Sequence, residues 1–237
     1  MSANTTTLKD VNGTIVLAGA GKMGGAMLTG WLAGGLDANR VVVVEPYPSD
    51  DIMALATKGV RLNPQSGGTA DTLVVAVKPQ MFREAGPALK QWVEPSTLVV
   101  SIMAGTTIAA LEQVCGGMVI RAMPNTPAAI GRGITVAAPA RNVSTAQRAI
   151  ADALLRATGT VEWVDDEGLM DAVTAVSGSG ELLHRSDLPS ATLRQNVTSP
   201  GGTTAAALEV LMAKNGLQPL MIRAIAAATK RSKELAK

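Results

Sequence analysis

The sequence predicts an α/β protein, a doubly wound, mostly parallel sheet followed by a small all-helical domain. Three observations carry that expectation. Short β-branched runs alternate with helical patterns through the first two thirds of the chain. Those runs are apolar on both faces, as strands covered by helices above and below must be. Beyond Val164 the β character stops, and the remainder reads as helices. The expected division is 1–164 for the sheet domain and 165–237 for the helical one.

Each element follows from its residues. Strands are expected at "TIVLAG" (14–19), "VVVVE" (41–45), "TLVVAV" (72–77), "TLVVSIM" (97–103) and "MVIRAM" (118–123). Periodic helical stretches lie between them at 22–34, 50–58, 79–92 and 107–114. A strand "GITVAAP" (133–139), a helix at 144–157 and a strand "GTVEWV" (159–164) extend the same unit. Three helical segments are expected near the end, at 181–196, 202–214 and 217–236.

Composition narrows the function classes. Hydrophobic residues make 47% and charged ones 17% of 237 residues, which excludes disorder and allows a sizeable core. Aromatic residues make only 2%, so the core is aliphatic and base-stacking platforms for nucleic acid are scarce. The formal charge of +2 is nearly balanced, and the densest basic stretch, "KRSKELAK", reads as a solvated helix end. Cys115 is alone, which rules out an intramolecular disulfide and points to a reducing compartment. In "LEQVCGGM" it reads as a small buried filler. "MSANTTTLKDVNG" lacks the apolar core of a signal peptide, and no apolar run approaches membrane-spanning length. A cytoplasmic protein is expected, with a small-molecule substrate and without metal, membrane or nucleic-acid partners.

The first chemical signal is "TIVLAGAGKMGGAM". Gly19, Gly21 and Gly24 have G-x-G-x-x-G spacing after a strand and at the opening of a helix, a Rossmann-like arrangement. Gly19 serves the tight turn, Gly21 the approach of a pyrophosphate, and Gly24 the packing of helix on strand. The amides of this loop and helix start, from Ala20 through Lys22 and Met23, favour a diphosphate. Glu45 ends the second strand, 21 residues after Gly24, where an acid can bind the adenosine ribose hydroxyls and repel a 2′-phosphate. That tilts the cofactor toward NADH, and a solvated strand end is the alternative reading of Glu45.

Ligands of open α/β sheets lie beyond the carboxyl ends of the strands. Those ends supply Ala76, Val77, Lys78, Pro79 and Gln80; Met103, Ala104 and Gly105; and Met123, Pro124 and Asn125. Small residues and prolines there let a flat ring approach the backbone. The alternative reading makes Lys78 a solvated strand end and Pro124 a simple terminator.

"GAGKMGGAM", "AVKPQ", "SIMAG", "RAMPNTP", "VSGSG" and above all "VTSPGGTT" resemble the pyrroline-5-carboxylate reductases, in family order from residue 14 to about 211. The resemblance implies a dinucleotide-binding domain, a helical domain that dimerises and completes the active site, and reduction of a cyclic imine to L-proline with NADPH or NADH. It implies that Thr204 hydrogen-bonds the imine nitrogen, that Val197 borders the substrate, and that Ser199, Gly201, Gly202 and Thr203 belong to the substrate loop. A helix start with bared amides suits a small carboxylate, and helix capping is the alternative role of Thr203 and Thr204. Ser177 and Ser179 read as caps, and His184 as an exposed residue outside the chemistry.

One departure stands out. After "AVSGSG" (175–180) the family continues into a long apolar helix and much of a second, whereas this chain passes directly to "ELLHRSD". The dimer is therefore expected to be weakened. A dinucleotide-binding protein with little or no turnover is the alternative function. A hydroxy-acid dehydrogenase is a third, less supported because no lysine or histidine base stands out between 165 and 204.

Overall fold

The computed structural model describes residues 6–65, 67–170, 202–217, 219 and 223. The chain divides into two compact units, Met1–Glu181 and Leu182–Lys237.

In the first unit the β-branched runs form one sheet of eight strands. They are β1 (Ile15–Ala18), β2 (Val41–Val44), β3 (Arg61–Leu62), β4 (Thr72–Val75), β5 (Leu98–Ser101), β6 (Met118–Met123), β7 (Gly133–Pro139) and β8 (Gly159–Trp163). Their order is β3-β2-β1-β4-β5-β6-β7-β8. All pairs from β3 through β6 are parallel; β7 runs antiparallel to β6, and β8 follows β7 in parallel. The doubly wound, mostly parallel sheet expected from the sequence is therefore present. The strand order reverses between β1 and β4, which opens a crevice at their carboxyl ends.

Among the described residues five helices cover the sheet: α1 (Lys22–Ala33), α2 (Asp50–Ala56), α3 (Pro79–Leu89), α4 (Ile108–Val114) and α5 (Thr145–Arg156). Alternate strand residues feed two separate cores. On one face Ile15, Leu17, Val41 and Val43 pack with Met27, Leu28 and Trp31 of α1 and Leu154 and Leu155 of α5. On the other, Val16, Val42, Leu73 and Val99 pack with Phe82 and Leu89 of α3 and Leu111 of α4. The Trp31 indole N–H donates to the Leu154 carbonyl at 2.8 Å, so its polar atom is satisfied inside the aliphatic core.

A charge sits inside this sheet. Arg121, 3% exposed on β6, pairs with Glu167 at 3.0 Å. The same Glu167 oxygen accepts the backbone N–H of Ile108 at 2.8 Å, so one carboxylate joins β6, the start of α4 and the segment after β8. Glu167→Ala leaves a buried guanidinium without this partner and is expected to lower unfolding stability by about 3 kcal/mol. Urea unfolding with an unchanged m-value checks this.

Cys115 is buried, and burial pushes its thiol up to about 11. At pH 8 it stays protonated and covered, so iodoacetamide is expected to label it only after denaturation; prompt labelling of the native protein contradicts this.

In the second unit one helix is described, α6 (Thr203–Leu211). The expected helix at 181–196 lies outside the described residues, as does most of 217–236. Among the described residues no helix is long and apolar enough to cross a membrane.

Candidate active site

Because β1, β2, β4, β5 and β6 are parallel, their carboxyl ends share one edge of the sheet. Gly19–Gly24, Glu45, Ala76–Gln80, Met103–Gly105 and Met123–Asn125 all lie along it. The first-unit residues singled out in the sequence are thus brought together on a single rim.

The glycine loop explains itself locally. Gly19 has φ +92°, and a Cβ there meets the Ala76 and Val77 backbone at 2.8–2.9 Å, so the turn needs glycine twice over. At Gly24 a Cβ runs into the Gly19 carbonyl, which is the helix–strand contact expected of the third glycine. Gly21 is different. Its φ of −67° suits any residue, and a Cβ there meets nothing within 4 Å. Neither conformation nor packing within the chain demands glycine at this exposed position, and the open space in front of it fits a phosphate.

Capping gives the same picture. The N-termini of α2, α4 and α5 are closed by the side chains of Ser49, Thr107 and Ser144. Those of α1 and α3, which follow the two strands flanking the crevice, have no side-chain cap. Their first-turn amides are left for an anion. In the α3 turn, Lys78 occupies the N-cap and Pro79 the first helical position, and Lys78, Pro79 and Gln80 are exposed. Farther along the rim Met103 and Pro124 are buried, while Ala104, Met123 and Asn125 are half-buried. The Asn125 side-chain oxygen accepts the Ile134 N–H at 2.9 Å, which fixes this turn against β7.

Glu45 is engaged in a way its sequence position does not disclose. Its carboxylate accepts the Ala20 N–H at 2.8 Å and the Tyr47 N–H at 3.0 Å. Its main chain is clasped by Asn63, whose side chain accepts from Glu45 N at 2.9 Å and donates to Glu45 O at 2.8 Å. Asn63 has φ +45°, a conformation asparagine tolerates. Sequence reading missed Asn63; its signal was an Asn-Pro pair just after the short run Val60–Leu62.

In the second unit, Gly202 is the N-cap of α6 with ψ 171° and no side-chain cap, and Thr203 and Thr204 are the first two helical residues. Neither threonine occupies the N-cap that capping requires. Val197, Ser199 and Gly201 lie outside the described residues, as do Ser177, Ser179 and His184. Among the described residues no group of three His, Cys, Asp or Glu side chains is placed to hold a metal ion.

Comparison with known proteins decides the lineage. A family model described as "Pyrroline-5-carboxylate reductase dimerisation" matches residues 149–235, and "NADP oxidoreductase coenzyme F420-dependent" matches 14–105. The pyrroline-5-carboxylate reductase of Pseudomonas aeruginosa is 34% identical over 264 positions, covering 94% of this chain and 96% of that protein. The chain belongs to the pyrroline-5-carboxylate reductase family. The Haemophilus influenzae family member is 33% identical over 264 positions, covering 93% of this chain and 97% of its own. The solved reductase of Coxiella burnetii superposes with a TM-score of 0.66 at 31% identity, over 96% of this chain and all of that one. The reductase of Plasmodium falciparum, solved with NADP bound, shares the fold at a TM-score of 0.59 and 24% identity, over 95% of this chain and 99% of its own. The alignments also bear on length. With the Pseudomonas reductase, 94% of 237 residues is about 223, against 264 aligned positions, so about 40 positions have no counterpart here.

Proposed function

We propose that this chain reduces the C=N bond of pyrroline-5-carboxylate to L-proline with NAD(P)H, the last step of proline biosynthesis. The observation that carries the reading is the family membership over nearly the whole chain, joined to an uncapped α1 whose Gly21 faces open space. The dinucleotide, when bound, supplies the hydride and the chain supplies position. Gly19–Gly24 hold the diphosphate at the bared start of α1, and Glu45 takes the adenosine ribose. The rim from Ala76 to Gln80, with Met103–Gly105 and Met123–Asn125, lines the remainder of the cofactor's path.

Ser199–Thr203 hold the substrate carboxylate at the start of α6, and Val197 borders the ring. Thr204 hydrogen-bonds the imine nitrogen; the hydride would go to the ring carbon, the C=N electron pair to nitrogen, and a proton that the nitrogen already carries as an iminium, or takes from water, completes the product N–H. No strong acid or base is needed, because positioning and electrostatics lower the barrier. We take the dinucleotide-binding domain to be 1–164 and the helical substrate and dimerisation domain to be 165–237, shortened within. The protein acts as a homo-oligomer in the cytoplasm, with a dimer weaker than its relatives'.

The experiment is an NAD(P)H oxidation assay with pyrroline-5-carboxylate and, separately, with small 2-hydroxy acids plus NAD(P)+. Turnover of the imine alone supports the reading, and turnover of a hydroxy acid alone overturns it. Gly21→Ala adds a local check. The methyl group fills the open space, so the Kd for NAD(P)H is expected to rise at least about tenfold, while stability falls by less than about 1 kcal/mol. Unchanged cofactor affinity in a folded Gly21→Ala protein removes the diphosphate from this loop.

A further inference from the structure

We infer that Glu45 is the specificity-determining residue of the cofactor site and makes this chain selective for NADH over NADPH. The inference rests on the dinucleotide reading above and adds to it which dinucleotide is taken. An acid at the end of β2 can in principle swing aside to admit a 2′-phosphate. Here it is held at three points. One carboxylate oxygen takes the Ala20 N–H of the glycine loop at 2.8 Å, the other takes the Tyr47 N–H at 3.0 Å, and Asn63 clasps the Glu45 backbone from both sides. Asn63 is itself anchored, its N–H donating to the Val43 carbonyl at 2.8 Å. A carboxylate has about four acceptor positions, so two remain for a pair of ribose hydroxyls after the two backbone bonds are made.

The adjoining segments offer a 2′-phosphate no Lys or Arg. No Lys or Arg occurs from Val41 to Thr57, the span of β2, its turn and α2, and Asp50 and Asp51 open α2. None occurs from Leu62 to Val77, which includes the turn after β3. Lys22, exposed at the start of α1, is the one cation of the glycine loop, and it stands at the end of that loop where the diphosphate binds. A 2′-phosphate would thus meet a fixed anion, with two further acids five and six residues along at the start of α2, and like charges facing one another are strongly unfavourable.

The test is titration of the full-length protein with NADH and with NADPH, followed by fluorescence or calorimetry, for the native chain and for Glu45→Gln. NADH is expected to bind about tenfold or more tighter. Glu45→Gln keeps an acceptor for the loop and removes the charge, and is expected to close most of that gap by tightening NADPH. Equal affinities in the native chain overturn the inference, as does a variant that weakens both dinucleotides by the same factor, the mark of a mere staple. A second measurement needs no variant: 5′-AMP is expected to displace NADH about tenfold better than adenosine 2′,5′-bisphosphate, and equal displacement overturns the claim. Failure of both dinucleotides to bind strikes the dinucleotide reading itself and this inference with it, whereas tight NADPH binding strikes the inference alone.

Discussion

Restoring the stretch of about 40 positions that the Pseudomonas relative carries and this chain lacks is expected to convert a weak, concentration-dependent dimer into a tight one. The sequence places the gap at the join of Gly180 and Glu181, inside the region matched by the dimerisation family. An apolar helix removed from a dimer takes with it both its own contacts and the partner surface it covered. At about 25 cal/mol per Å², about a thousand Å² of apolar area amounts to about 25 kcal/mol of gross burial, more than the net stability of an ordinary domain. The sheet unit has its own two cores on either face and needs none of that area. The present chain is therefore expected to fold and bind NAD(P)H, to change molar mass with dilution in light scattering, and to reduce pyrroline-5-carboxylate poorly beside the restored chain. A tight, fully active dimer of 237 residues would show that the remaining helices rebuild the interface.

Thr204→Ala is expected to lower turnover while leaving NAD(P)H affinity nearly unchanged. Losing one hydrogen bond to a neutral nitrogen costs about 1 kcal/mol, and to a charged one about 1.5–3 kcal/mol, which appears in kcat. The backbone supports a role other than capping, because Gly202 and not a threonine holds the N-cap of α6. If the variant instead loses cofactor binding and stability together, Thr204 is a structural residue. Thr204→Ser, which keeps the hydroxyl, is expected to recover most of the turnover.

Much of this was legible in the chain. β6 and β7 fall where "MVIRAM" and "GITVAAP" placed them, and α1, α2, α4 and α5 lie within one or two residues of their expected spans. The reason is physical: both-face apolar runs bounded by glycine and proline leave little freedom in assignment. The misses have equally local causes. β3 is two residues long, Arg61–Leu62, too short to show any periodicity. The stretch expected as one helix over 79–92 breaks at Leu89 into a 3-10 turn, Lys90–Trp92, six residues before β5 begins at Leu98. β1 and β2 end one residue short of their expected spans because the turn residues Gly19 and Glu45 already belong to the rim.

The site was legible in its parts and not in its wiring. Spacing alone found Gly19, Gly21, Gly24 and Glu45, since each glycine answers to a steric or ligand demand. Nothing in the spacing tells that Glu45 reaches back 25 residues to Ala20, or that Asn63 holds it, because those bonds depend on which strands become neighbours. Arg121 did carry a signal. A guanidinium within "MVIRAM" requires partners if that strand is buried, and Glu167, 46 residues on, is one of them.

The most direct test of the central claim follows the transferred hydrogen. The protein is incubated with pyrroline-5-carboxylate and dinucleotide carrying deuterium at both C4 positions of the reduced nicotinamide, and the proline formed is read by mass spectrometry and NMR. One deuterium per proline, on the ring carbon next to nitrogen and away from the carboxylate, is the predicted result. Dinucleotide oxidised without deuterated proline, or no proline from either the present or the restored chain, would contradict the account.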